Sequence, residues 1–234
     1  MPSAAELPAA ELPAADLQAM NRWSATLICG VQWGHMLQYS LISAAQSELI
    51  AMIAGGNRFM QARLTGAMFT LNFTGGLLLS PIISGLADAR GRKMFLSMPS
   101  TADLLQRVVI IPFMTLNGLL ASNLLGILSV AGMNMGSTAL ADLYKDDPVE
   151  IARWSSLFRM GASISAIVGP LVSSTLAVRD LRLPYLASAV VCVANVILCS
   201  RITETLDPKG RRVFKWASSS PFEVLKLFRN GKEL

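Results

Sequence analysis

Four side chains within eight residues, Gln32, His35, Gln38 and Tyr39, are the first in this chain whose types and spacing could do chemistry. They lie in an apolar run. At about 100° per residue they fall within about 120° of one another on a helix, so they form one polar wedge. Such a wedge in mid-bilayer is costly and faces a cavity or a partner helix. Imidazole alone of the four ordinarily titrates near neutrality, so His35 could carry a proton or meet a substrate. Plain hydrogen bonding inside a helix bundle would also satisfy it. A second pair, Asp103 and Arg107, is four residues apart in another apolar run. That spacing puts opposite charges on one helix face, where an intrahelical ion pair is the economical account. A structural pair and a proton relay both fit it.

The densest polar stretch is residues 84–93, with one acid, three bases and two glycines between two apolar runs. A loop this short and charged between bilayer-length segments is a tight polar turn at a membrane surface. Glycine gives the turn its backbone freedom, and the bases mark that surface as cytoplasmic.

Other chemistries lack their residues. His35 is the single histidine, and Cys29, Cys192 and Cys199 are isolated in apolar runs, so neither a metal site nor a disulfide framework is expected. No phosphate-binding glycine loop and no nucleophile elbow occurs, and the reading is no enzyme and no cofactor. The net charge of +5 is distributed over loops, without a basic face or interleaved aromatics, so nucleic acid is not an expected partner.

The elements that must position these groups are helices in a lipid bilayer. The 234 residues are 53% apolar and 15% charged, too hydrophobic for an ordinary soluble domain, with a mean hydropathy of +0.49. Apolar blocks predict spans at about 23–43, 64–86, 94–116, 119–140, 155–178 and 183–200. Residues 44–62 are expected as an outer loop carrying a short apolar piece. In the second span, Gly66, Ala67, Gly75 and Gly76 would allow close helix approach. Six spans put both termini on one side. Arg22, Arg90, Arg92, Lys93, Lys145, Arg153, Arg201, Lys209, Arg211, Arg212 and Lys215 fall on that side, and Arg58, Arg63, Arg179 and Arg182 on the other. Both termini are therefore expected in the cytoplasm.

Three divisions follow. Residues 1–21 read as a disordered low-complexity cytoplasmic tail, with Pro2, Pro8 and Pro13 breaking any helix and no base to make a secretory or mitochondrial leader. The first span then serves as the targeting signal. Residues 22–200 form the helical bundle. Residues 201–234 are a basic cytoplasmic segment suited to an anionic leaflet, with an amphipathic helix beginning near Pro221.

The loop Ser84-Gly85-Leu86-Ala87-Asp88-Ala89-Arg90-Gly91-Arg92-Lys93 resembles the signature between helices 2 and 3 of the major facilitator superfamily, G-x-L-x-D-x-x-G-R-R/K. Ser84 stands where the first glycine usually is. Gly161, Gly169 and Pro170 resemble part of the helix 5 signature of its drug and tetracycline exporters, with Ser173 and Ser174 in place of the final glycine pair. Where the family's helix 4 usually has an arginine, this chain reads Ser122-Asn123.

The resemblance implies an all-α fold of six transmembrane helices, the N-terminal half of a facilitator-type transporter. It implies a gating loop of Asp88, Gly91, Arg92 and Lys93, with Asp142 placed to pair with Arg92. It also implies that helix 1 lines the substrate cavity, while helix 3 is peripheral. The expected function is transport of a small molecule in a lipid bilayer, with a second six-helix half supplied by another chain, a further C-terminal part or a copy of itself. The alternative is a half-length structural or assembly subunit that does not transport. The missing arginine leaves ion coupling open.

Overall fold

The structure, a computed structural model, describes residues 14–206, 211, 213 and 214, and they form eight helices. These are α1 (Ala14–Ile53), α2 (Arg58–Arg90), α3 (Lys93–Leu96), α4 (Met98–Ile110), α5 (Leu116–Gly132), α6 (Met135–Leu143), α7 (Pro148–Ala177) and α8 (Leu183–Arg201). No strand occurs among the described residues.

Local chemistry sets the ends. The Asn57 carboxamide oxygen accepts the Phe59 and Met60 N–H groups at 3.0 and 3.1 Å and starts α2. Asp147 does the same for α7, accepting from Val149 and Glu150 ahead of Pro148, whose missing N–H costs nothing in a first turn. Gly55, Gly56 and Gly91 have φ of +59°, +79° and +104°, and they stop α1 and α2 where a side chain would be strained.

Helix α1 packs on α7 and α8, α5 packs on α2 and α4, and α4 also meets α8. Small residues set the closest approaches. A Cβ on Gly161 would stand 1.9 Å from the Trp33 ring, and one on Gly169 would stand 2.1 Å from Ser40 Oγ. Ser165 and Ser173, between and beyond those glycines at steps of four, are buried on the same face of α7. Ser40 Oγ donates to the Ser165 carbonyl at 2.8 Å, which ties α1 and α7 by a polar bond inside the small-residue stripe. Gly75 and Gly76 admit Ile127 and Val130 of α5, whereas Gly66 has nothing within 4 Å of a would-be Cβ.

Four segments are long and apolar enough to cross a bilayer: Arg58–Arg90, Leu116–Leu143, Pro148–Ala177 and Leu183–Arg201. Leu77, Ile167, Leu171 and Val190 are more than half exposed on them, an apolar belt that water would not tolerate on a monomer of this size. The helices in the places of the first and third expected spans do not reach that combination of length and hydropathy. The third is broken at Ser97, and its main piece, α4, has 13 residues. The fourth is likewise two pieces, parted at Met133 and Asn134.

Three boundaries differ from expectation. Residues 84–90, read as part of a polar turn, are the last turns of α2, and the connection to α3 is only Gly91 and Arg92. Residues 44–53 are not loop but the end of α1, because Ala45, Leu49 and Ile50 recur on one face and bury it in a second apolar cluster. The connection expected on the outer side is only residues 54–57. Residues 14–21, assigned to the disordered tail, are the first turns of α1. Residues 1–13, most of the basic patch and the amphipathic helix expected beyond Pro221 lie outside the described residues.

Candidate functional site

Two polar centres stand out against the apolar bundle, one at the loop between α2 and α3 and one inside. At the loop, Arg92 is buried, and its guanidinium pairs with Asp88 one turn back at 3.0 Å and with Asp142 near the end of α6. Asp142 thus occupies the position expected of it. Sequence reasoning missed a third acid, Glu204, just after α8. Its carboxylate accepts the backbone N–H of Arg92 at 2.8 Å and of Lys93 at 3.4 Å. Gly91 makes that approach possible, since a Cβ there would lie 2.3 Å from Glu204 Oε2. The loop is therefore held from three helices' ends at once, and Ser24 to Thr203 at 2.9 Å adds a tie to α1. Beside it Tyr144 stacks on Trp154 with ring centroids 6.2 Å apart. Burial, and then the charge of Glu150, push the Tyr144 hydroxyl above its usual range, so it stays neutral. Lys93 is only partly buried and is held here through its backbone.

The inner centre is a cavity of about 300 Å³ walled by α1, α2, α4, α5 and α8. His35 and Tyr39 reach it from α1, and Asp103, Gln106 and Arg107 from α4. Gln32 does not. It lines a separate small pocket with His35. Gln38 is fully buried behind the wall and acts as a hub: its Nε2 lies 2.6 Å from Asp103 Oδ2 and 2.9 Å from His35 Nδ1. Its carbonyl groups face α8, the backbone oxygen accepting from Ser188 at 2.8 Å and the side-chain oxygen from Asn195 at 3.5 Å. Asn195 enters there because residue 34 is glycine, where a Cβ would lie 2.1 Å from its Oδ1.

The expected Asp103–Arg107 ion pair is corrected. Asp103 accepts from Gln38 and, at 3.1 Å, from Gln106, with His35 Nδ1 at 3.5 Å. Arg107 donates from Nε to Ser188 at 3.0 Å and from Nη1 to Gln106 Oε1 at 3.0 Å. Gln106 sits between the two charges as an amide spacer, and no direct ion pair within 4.0 Å joins them among the described residues. Spacing of four permits a pair, but neutral donors and acceptors on α1 and α8 competed for both groups. Nor is this helix peripheral, since three of its polar side chains face the cavity.

Across the cavity, Asn72 of α2 donates to Asn123 of α5 at 2.5 Å. Ser122 and Asn123, read as the place of a missing arginine, therefore line the same space that Arg107 enters from the next helix. Asn72, Gln106, Ser188 and Asn195 were not singled out from sequence. A polar residue on each of several helices is visible, but nothing local says that they converge. Gly161, Gly169 and Pro170 lie on α7 away from this cavity, the two glycines at the α1–α7 contact described above. No cluster of three or more metal-binding side chains occurs among the described residues.

With this geometry in hand, the chain can be compared with known proteins. The family model described as Major Facilitator Superfamily matches residues 28–233. The crystal structure of the human organic anion transporter MFSD10 (TETRAN) is similar at a TM-score of 0.72 and 15% identity. That match covers 89% of this chain and 55% of the other, so this chain spans about half the length of the structure it resembles. A comparison with curated protein sequences returns no match.

Proposed function

Proceeding from the fact that this chain belongs to the Major Facilitator Superfamily, we propose that it is one half of a secondary transporter that carries a small molecule across a membrane. In this reading the chain has six crossings, with both termini cytoplasmic, and a second six-helix half completes the cavity. That half comes from another chain, from further sequence or from a second copy. Transport follows from rocking the two halves about a site near the midplane. The end of α2 and the short connection after it lock the cytoplasmic ends, Arg92 being the latch, while the part-exposed Asp88 also meets the second half. His35 and Tyr39 contact the cargo, with Gln38 positioning His35, and Gln32 shapes the neighbouring pocket. Gly161, Gly169 and Pro170 keep α1 and α7 close as the half moves.

The observation that carries this is the burial of Asp103, Arg107 and His35 at a cavity inside apolar helices. Charges at such depth are expensive and are kept where cargo or ions pass. The apolar face of α2, a wall of the cavity, is the least covered of the four long segments, which suits a second bundle closing beside it.

The test is flux. The assembled protein in lipid vesicles should accumulate or release a labelled small solute. Replacement of Arg92 by alanine should reduce that flux about tenfold or more, by loss of a charge-assisted network. Absence of flux would remove the transport reading and favour a structural subunit, and flux indifferent to Arg92→Ala and to His35→Ala would remove the roles given to those two residues.

A further inference from the structure

The cavity holds an arginine whose charge is not spent. Arg107 is 2% exposed, yet both of its bonded nitrogens donate to neutral acceptors, the Ser188 hydroxyl and the Gln106 amide. No carboxylate lies within 4.0 Å of it, and Nη2 makes no hydrogen bond among the described residues. A buried guanidinium in that condition is costly and favours an anion that can replace the missing counter-charge. Its fork geometry suits a carboxylate or another planar oxyanion.

The surrounding groups fit the rest of such a molecule. The nearest acid, Asp103, is occupied on both oxygens by Gln38 and Gln106. Tyr185 is buried and lines the cavity, and its hydroxyl has no partner. Asn72 Oδ1 is also without a partner. Gly126 opens this end of the space: a Cβ there would stand 2.8 Å from Gln106 Nε2 and 3.0 Å from Asn72 Oδ1. At the rim, Phe69 and Phe73 stack with centroids 5.9 Å apart and are about half exposed, an apolar face for a ring.

We propose that Arg107 is the anion-recognising residue of the cavity and that its ligand is a small aromatic carboxylate, the carboxylate on Arg107 and the Tyr185 hydroxyl, the ring against Phe69 and Phe73. This rests on the transport reading above and names the class of its cargo.

The test is equilibrium binding of three probes of like shape to the full chain in lipid nanodiscs, with empty discs subtracted: 2-naphthoate, neutral 2-naphthamide and cationic 2-naphthylmethylammonium. The expected order has 2-naphthoate about tenfold or more tighter than the amide, since hydrogen bonds to a charged group in a dry site are the strong ones. Arg107→Gln should lower naphthoate binding to the amide's level while leaving the amide's own binding within about twofold, and Arg107→Lys should keep part of the naphthoate preference. A structural role alone predicts that Arg107→Gln loses binding of all three probes together, and that result overturns the proposal. Equal binding of naphthoate and amide by the unaltered chain, or binding of neither, also overturns it, whether or not a variant folds. Charge-selective binding without vesicle flux would sink the transport reading and leave the anion site standing. Flux without charge selectivity would do the reverse.

Discussion

At the scale of single residues, the loop between α2 and α3 is decided by Gly91. Its φ of +104° excludes ordinary side chains, and Glu204 occupies the space a Cβ would need. Gly91→Ala therefore carries two penalties, backbone strain of about 1–3 kcal/mol and displacement of the Glu204 carboxylate from the Arg92 amide. Gly55→Ala carries the first alone, since nothing lies within 4 Å of its Cβ position. Thermal unfolding in detergent should show Gly91→Ala as the less stable of the two, and equal losses would mean that the Glu204 clamp contributes nothing. Half of this site could be read in the sequence. Asp88 and Arg92 stand on the loop pattern, and Asp142 was expected only from the pairing that the resemblance implies. Glu204 follows α8, where no spacing relates an acid to a loop more than a hundred residues earlier. The polar wedge on α1 was legible as a face, because helical periodicity is local. That Gln38 turns inward to bind Asp103 while Tyr39 faces the opening depends on where α4 and α8 lie.

At the scale of elements, length was the harder quantity. Hydropathy marks the apolar middle of α1 but not its continuation through Ser47 and Glu48, which stays helical because Ala45, Leu49 and Ile50 have somewhere to pack. Breaks inside a span left a local mark, Pro99 in the first turn of α4 and Gly132-Met133-Asn134 at the end of α5, but the apolar residues on either side kept the hydropathy of a continuous span. The small-residue stripe of α7 gives a sharp prediction. Gly161→Val should drive α1 off α7, because Trp33 already fills the position of the added atoms and its indole N–H is bonded to the Leu157 carbonyl at 3.0 Å. Overpacking of that kind costs about 1–3 kcal/mol, read as a lower unfolding temperature and a smaller folded yield. Gly66→Ala in α2 meets nothing and should be neutral or gain up to about 1 kcal/mol from the stiffer unfolded chain. If the two substitutions behave alike, the glycines of this protein are not packing devices.

At the scale of the whole molecule, the described helices wall a polar cavity and hold the Asp88–Arg92–Asp142 network where α2 meets α3, which is the arrangement the proposed rocking half needs. In that proposal Arg92 controls access to the cavity. Ser129 lines the cavity and is buried, and the native cysteines at 29, 192 and 199 are buried too. A thiol introduced by Ser129→Cys in the assembled protein can therefore be followed with a membrane-impermeant reagent against the parent as blank. Labelling from the cytoplasmic side should be slow with Arg92 present and several-fold faster after Arg92→Ala, as the cytoplasmic ends come apart. A cytoplasmic labelling rate that does not change when Arg92 is removed would contradict the account.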